Sequence, residues 1–180
     1  MHVKAKQVAI AGLLAAFSAV LMILSAVLES SSLFLIAAAS FCVGITIREW
    51  GILFGAGYFA ASLLVNLIVT PNKFYCATFA AMALYLLLSE GLWEKIAAKK
   101  ELKNRNLTLW IGKYVIFNII YIPILTGFSD LIFTKEADGR LLLIGFLAGQ
   151  ACIFIYDQAY RYFQGMIWSR LRGRLINGTE

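Results

Sequence analysis

Residues 8–28 read VAIAGLLAAFSAVLMILSAVL. The run holds 21 residues with no charge and no proline, and its only hydroxyl groups are Ser18 and Ser25. At about 1.5 Å of rise per residue, a helix of this length matches the roughly 30 Å hydrocarbon core of a bilayer. Lys4 and Lys6 precede it, as a basic segment precedes a secretory signal. An export signal, however, has an apolar region of about 7–15 residues followed by a small-x-small cleavage site. This run is longer and no such site follows, so it reads as a retained spanning helix.

Five further apolar runs follow, over residues 33–47, 50–69, 74–92, 107–125 and 141–160. Glu29 and Ser30 to Ser32 separate the first two, Arg48 and Glu49 the next two, and Thr70 to Lys73 form a turn before the fourth. Residues 93–106 are polar and carry five cations, residues 127–140 are mixed, and Pro123 lies near the end of the fifth run. The run 33–47 is short; as a helix it reaches only about 22 Å, so it is expected to be inset or to extend into its flanks.

Composition agrees. Of 180 residues, 61% are apolar and 14% charged, and the mean hydropathy is +0.80. Soluble domains carry about a quarter charged residues, so a soluble globular domain, a disordered chain and a fibrous protein are excluded. Six spanning helices use about 120 residues and leave no room for a separate soluble domain. The expected fold is all-α: a polytopic membrane protein, a single domain over residues 1–180, with six transmembrane helices and a basic tail over residues 161–180.

The net charge of +6 need not mean nucleic acid, and none is expected as a partner. With the N-terminus in the cytoplasm, twelve of the sixteen cations fall on the inner side and three (Lys73, Lys135 and Arg140) on the outer; Lys113 lies within the fifth run. That asymmetry, with Trp50, Trp93, Trp110 and Trp168 at the inner boundary, predicts both termini inside. The expected location is the cytoplasmic membrane of a bacterium.

Small residues form stripes: Ala11, Ala15 and Ala19 in the first helix, Gly51 and Gly55 in the third, Gly145 and Gly149 in the sixth. Such spacing lets helices approach closely in lipid. The glycine pairs read as internal packing, whereas the alanine stripe, near the cytoplasmic end, is a candidate interface for another subunit. Ionisable groups inside a membrane are costly and usually paired. Lys113 and Asp157 lie at matching depths, so an ion pair between them is expected, with Glu90 nearby.

Polar residues at the opposite end form a candidate solute site. Glu29, Asn66, Asn72, Lys73, Tyr75 and Asp130 lie near the outer surface, and Asn118 and Gln150 near mid-membrane. Such sites are mostly apolar with a few convergent polar groups. The tail spaces Phe163, Ile167, Leu171 and Leu175 four apart among arginines, a basic amphipathic pattern that anionic lipid attracts. Cys42, Cys76 and Cys152 lie in apolar runs and read as filler. His2 is the sole histidine, so there is no Ser-His pair and no HExxH motif. No enzyme activity, cofactor or metal is expected.

Over its whole length the chain resembles the substrate-binding S components of energy-coupling factor (ECF) transporters, a class of vitamin and micronutrient ABC transporter. The likeness lies in size, six helices, Ala11-x-x-x-Ala15 in the first helix, and the segment VGITIREWGILFGAGYFAASLLVNLIVTPN over residues 43–72. It implies an integral membrane subunit that captures a small organic solute from outside. It also implies a coupling transmembrane subunit contacted through Ala11 and Ala15, and two cytoplasmic ATPases. Metal-specific relatives begin Met-His, as this chain does, but no second histidine supports a nickel or cobalt site. An alternative is a non-catalytic scaffold subunit of a cell-envelope or shape-determining complex.

Overall fold

The computed structural model describes residues 5–98, 104–127 and 139–170, apart from the side chain of residue 141. These form α1 (Ala5–Val27), a short 3-10 turn (Glu29–Ser31), α2 (Ser32–Trp50), α3 (Ile52–Val69), α4 (Lys73–Ala98), α5 (Arg105–Gly127), α6 (Gly139–Tyr162) and a π-helical turn (Phe163–Trp168). There is no strand among the described residues. The fold is all-α, and six helices are long and apolar enough to cross a membrane. In lipid this is the expected economy, because a helix satisfies its own backbone groups where no water can.

Several helix boundaries lie a few residues from the ends of the apolar runs, and two of them matter here. The second helix extends into its flank, one of the two outcomes expected of its short apolar run: it continues past Arg48 and Glu49 through Trp50, giving 19 residues in place of 15. It ends because Gly51 takes φ +87°, the only positive φ among the described residues, in a region of backbone space open almost solely to glycine. Gly51 N–H bonds the Ile47 carbonyl at 2.8 Å, and Gly55 N–H bonds the Gly51 carbonyl at 3.0 Å. One residue thus closes α2 and opens α3, and with nothing within 4 Å of an added methyl, Gly51 is the junction of the two helices and not part of a packing stripe. The fourth helix likewise runs past residue 92 to Ala98.

The chain divides into two compact units, Met1–Ile116 and Phe117–Glu180, the division falling within α5. In the first unit α2 is the central helix, touching α1, α3 and α4. Its residues from Ala39 to Ile47 are all buried, consistent with a helix that is apolar on every side. The core joins Met22 of α1, Ile36, Ala39 and Val43 of α2, Tyr58 of α3, and Cys76, Phe79 and Ala83 of α4. Close approach is built from glycine: a methyl on Gly55 would strike Ile47, one on Gly91 would strike Ile52, and one on Gly112 would strike Leu92.

At one end of this unit Arg48 reaches across from α2 to α4. Its Nε and Nη2 both donate to Glu90 Oε1, at 2.9 and 2.7 Å. Glu90 is only 6% exposed, so the pair neutralises a carboxylate that burial alone would penalise. Sequence depth had placed Glu90 beside Lys113 and Asp157; the structure pairs it with Arg48.

In the second unit α6 continues directly into the π-helical turn. Phe163 and Ile167 lie within that turn, whereas Leu171 and Leu175 of the expected amphipathic tail lie outside the described residues.

Candidate functional site

Hydroxyl side chains in these helices mostly satisfy themselves. Ser25 donates to Met22 O at 2.7 Å, Ser40 to Ala37 O at 2.6 Å, Thr46 to Val43 O at 2.8 Å, Ser62 to Phe59 O at 3.1 Å and Ser89 to Leu86 O at 3.1 Å. Bonding back to the preceding turn lets a serine or threonine sit in an apolar interior without a distant partner. Against that pattern a small group of polar residues in the first unit stands out.

Ser18 of α1, Asn66 of α3 and Thr70, the residue that caps α3, expose none of their surface. Asn66 Nδ2 donates to Ser18 Oγ at 3.3 Å, linking α3 to α1. The Asn66 backbone carbonyl accepts Thr70 N–H at 2.9 Å and the Cys76 thiol of α4 at 3.3 Å. Three helices therefore meet on one asparagine. The Asn66 Oδ1 and Thr70 Oγ1 atoms are buried and have no hydrogen-bond partner. In an interior without water, each leaves a desolvation cost of about 1–3 kcal/mol uncompensated. The hydroxyl of Tyr58 is likewise buried with no hydrogen-bond partner, on the part of α3 nearer its start.

The other expected solute-site residues divide among several roles. Glu29 is exposed and opens the 3-10 turn. Asn72 Oδ1 accepts Phe74 N–H at 3.0 Å, starting α4. Lys73 Nζ donates to the carbonyls of Leu67 at 2.6 Å and Thr70 at 3.2 Å, so its charge caps the C-terminus of α3, where a cation is favoured. Tyr75 is half-buried against the core. Asp130 lies outside the described residues.

Asn118 and Gln150 come together in the second unit, where Gln150 Nε2 donates to Asn118 Oδ1 at 2.8 Å and ties α5 to α6. Nearby, the Tyr121 hydroxyl donates to Gly145 O at 2.8 Å, and the Tyr121 ring stacks on Phe117 with centroids 4.8 Å apart. A methyl on Gly149 would fall within the Tyr121 ring. The Gly145–Gly149 stripe is thus the flat seat of a tyrosine, in keeping with its reading as internal packing.

Ala11 and Ala15 of α1 are half-buried and pack against the core, and Ala19 is half-buried. Ser18, Met22 and Ser25 continue the inward face. Ala9, Gly12 and Ala16 stand open beside the stripe. Lys113 and Asp157 belong to different units. Within its own unit, Lys113 Nζ lies 5.8 Å from the centroid of the Trp110 ring. Asp157, 1% exposed, has Arg161 Nε 3.1 Å from its Oδ2.

Cys42 and Cys76 are buried and Cys152 is exposed, all three as free thiols. No group of three or more His, Cys, Asp or Glu side chains suited to a metal occurs among the described residues.

Sequence reasoning singled out Asn66 because an amide is rare in an apolar run. It missed Ser18 and Thr70, since a lone serine or threonine in a membrane helix usually bonds its own backbone. The available signal was register: Ser18 falls on the same 4-3-4-3 spacing as Ala11, Ala15, Met22 and Ser25, and Thr70 lies four residues after Asn66. No protein-family profile, curated protein or solved structure matches this chain.

Proposed function

We propose that this protein is a membrane solute-binding subunit that captures a small organic solute from outside and passes it inward with a partner ATPase module, in the manner of an ECF S component. The observation that carries this reading is Asn66, fully buried yet with one end of its amide unpartnered, at the same helix end as the unpartnered Thr70 hydroxyl. An interior that leaves two polar atoms unsatisfied is suited to a guest that completes them. On the positive-inside reading this end of α3 is the outer one, which is where a captured solute enters. The partner contact assigned here is the small-residue face of α1: Ala9, Gly12 and Ala16, with Ala11, Ala15 and Ala19 along its edge.

The test is a thermal-shift screen of the purified protein in detergent against vitamins, nucleobases and amino acids, together with co-purification from the native membrane. A solute that raises the melting temperature, with ATPase subunits retained, supports the reading. Silence across the panel and no ATPase partner would sink it. The scaffold alternative draws support from the Asn118–Gln150 bond, in which two mid-helix amides satisfy each other. It predicts retention of envelope-assembly proteins instead.

A further inference from the structure

We propose that Asn66 and Thr70 together hold one neutral hydrogen-bonding group, enclosed in the first unit. Residues i and i+4 at a helix end are neighbours, about 5–6 Å apart at Cβ, and the 2.9 Å bond from Thr70 N–H to the Asn66 carbonyl fixes them in that relation. Their side-chain oxygens do not bond each other, since neither has a partner. A single interposed hydroxyl or water, which can donate and accept, spans such a gap with two bonds of ordinary length, about 2.7–3.0 Å.

The amide cannot escape the conclusion by rotation. Turning the Asn66 carboxamide over would place Oδ1 on the Ser18 hydroxyl and leave Nδ2 as the unpartnered end. Either way one end of a fully buried amide and the Thr70 hydroxyl want the same guest. Its charge follows from the surroundings. The α3 carbonyls at this end already hold a cation, the Lys73 ammonium on Leu67 O and Thr70 O, which disfavours a second. An anion would have only the neutral Asn66 and Thr70 side chains to offset its desolvation. A neutral group that can both donate and accept remains.

Two sources supply that chemistry. One is a buried water, of the kind that completes otherwise unsatisfied interior groups. The other is a hydroxyl of the captured solute, and this source rests on the solute-binding reading above.

The decisive variant is Thr70→Val, which keeps shape and β-branching and removes only the hydroxyl. If the site is empty, losing an unsatisfied oxygen leaves stability unchanged or raises it. If the site is filled, the melting temperature in detergent falls by about 2–6 °C. A fall without added solute, with Asn66→Leu/Thr70→Val no worse than the worse single variant, identifies a shared water and supports the proposal even if the solute panel is silent. Unchanged or raised stability, with a panel solute that raises the melting temperature of wild type and not of Thr70→Val, supports it with the solute as guest. Additive losses in Asn66→Leu/Thr70→Val overturn it. So does an unchanged or raised melting temperature when no panel solute distinguishes wild type from variant. Should Asn66→Leu fail to fold, Asn66→Ala takes its place in the cycle.

Discussion

Replacing Gly149 by alanine adds one methyl group, and the structure gives that methyl nowhere to go. It would fall within the ring of Tyr121, whose hydroxyl bonds Gly145 O and whose face stacks on Phe117. Overpacking a close contact costs about 1–3 kcal/mol. Moving the ring away forfeits a hydrogen bond worth about 0.6 kcal/mol between membrane helices and a stacked pair worth about 0.5–1.5 kcal/mol. Alanine returns about 1 kcal/mol of helix propensity. The expected net loss is about 0–2 kcal/mol, or a fall of up to about 6 °C in melting temperature for a chain of this size. Gly57→Ala is the matched control: Gly57 is exposed on α3 with nothing within 4 Å of the added carbon, so only the propensity gain remains and stability rises. In a Tyr121→Ala background Gly149→Ala becomes neutral or stabilising. Thermal unfolding in detergent reads all four variants. A Gly149→Ala protein stabilised as much as Gly57→Ala, or one equally penalised without the tyrosine, would refute the account of α5–α6 packing.

Arg48→Ala strips the α2 cation from a Glu90 that is 6% exposed. With the arginine side chain itself 41% exposed, the expected loss is about 1–3 kcal/mol, below the full penalty for a wholly buried pair. Glu90→Gln in the same chain restores part of it, and a double-mutant cycle by thermal unfolding reads the coupling. Gly51→Ala forces a side chain into a φ of +87°; a loss of about 1–3 kcal/mol is expected, and a neutral result would mean the chain reverses differently. The positive-inside reading predicts that Asn72→Cys, in a chain cleared of its native cysteines, reacts with an impermeant maleimide on intact cells, whereas Glu94→Cys reacts only after permeabilisation; the reverse pattern inverts the topology.

The helices were legible because lipid imposes one dominant rule, and hydropathy reports it directly. Where the reading slipped, a distant residue had changed the local meaning. Arg48 and Glu49 looked like a polar stop, yet α2 carries Arg48 within its last turn because Glu90, 42 residues later, receives its charge. Gly51 looked like half of a packing pair, and only the backbone conformation shows that it ends one helix and begins the next. Asn66 was visible as an amide in an apolar run. Its neighbours Ser18 and Thr70 were not, because nothing local separates a threonine that bonds its own helix from one left unsatisfied. Asn72 and Lys73 are polar for the sake of their own turn, and sequence position alone could not separate that role from ligand contact.

The single-residue reversal at Gly51 also bears on how the protein enters the membrane. With no loop between them, α2 and α3 have no slack with which to be threaded one at a time and joined later. The expectation is that they insert as one hairpin, fastened where Gly55 meets Ile47. A reporter fused at that point would cut both helices at once and describe a different protein. The turn at residues 70–72, between α3 and α4, is the better place for such a reporter, and on the positive-inside reading it would report from outside.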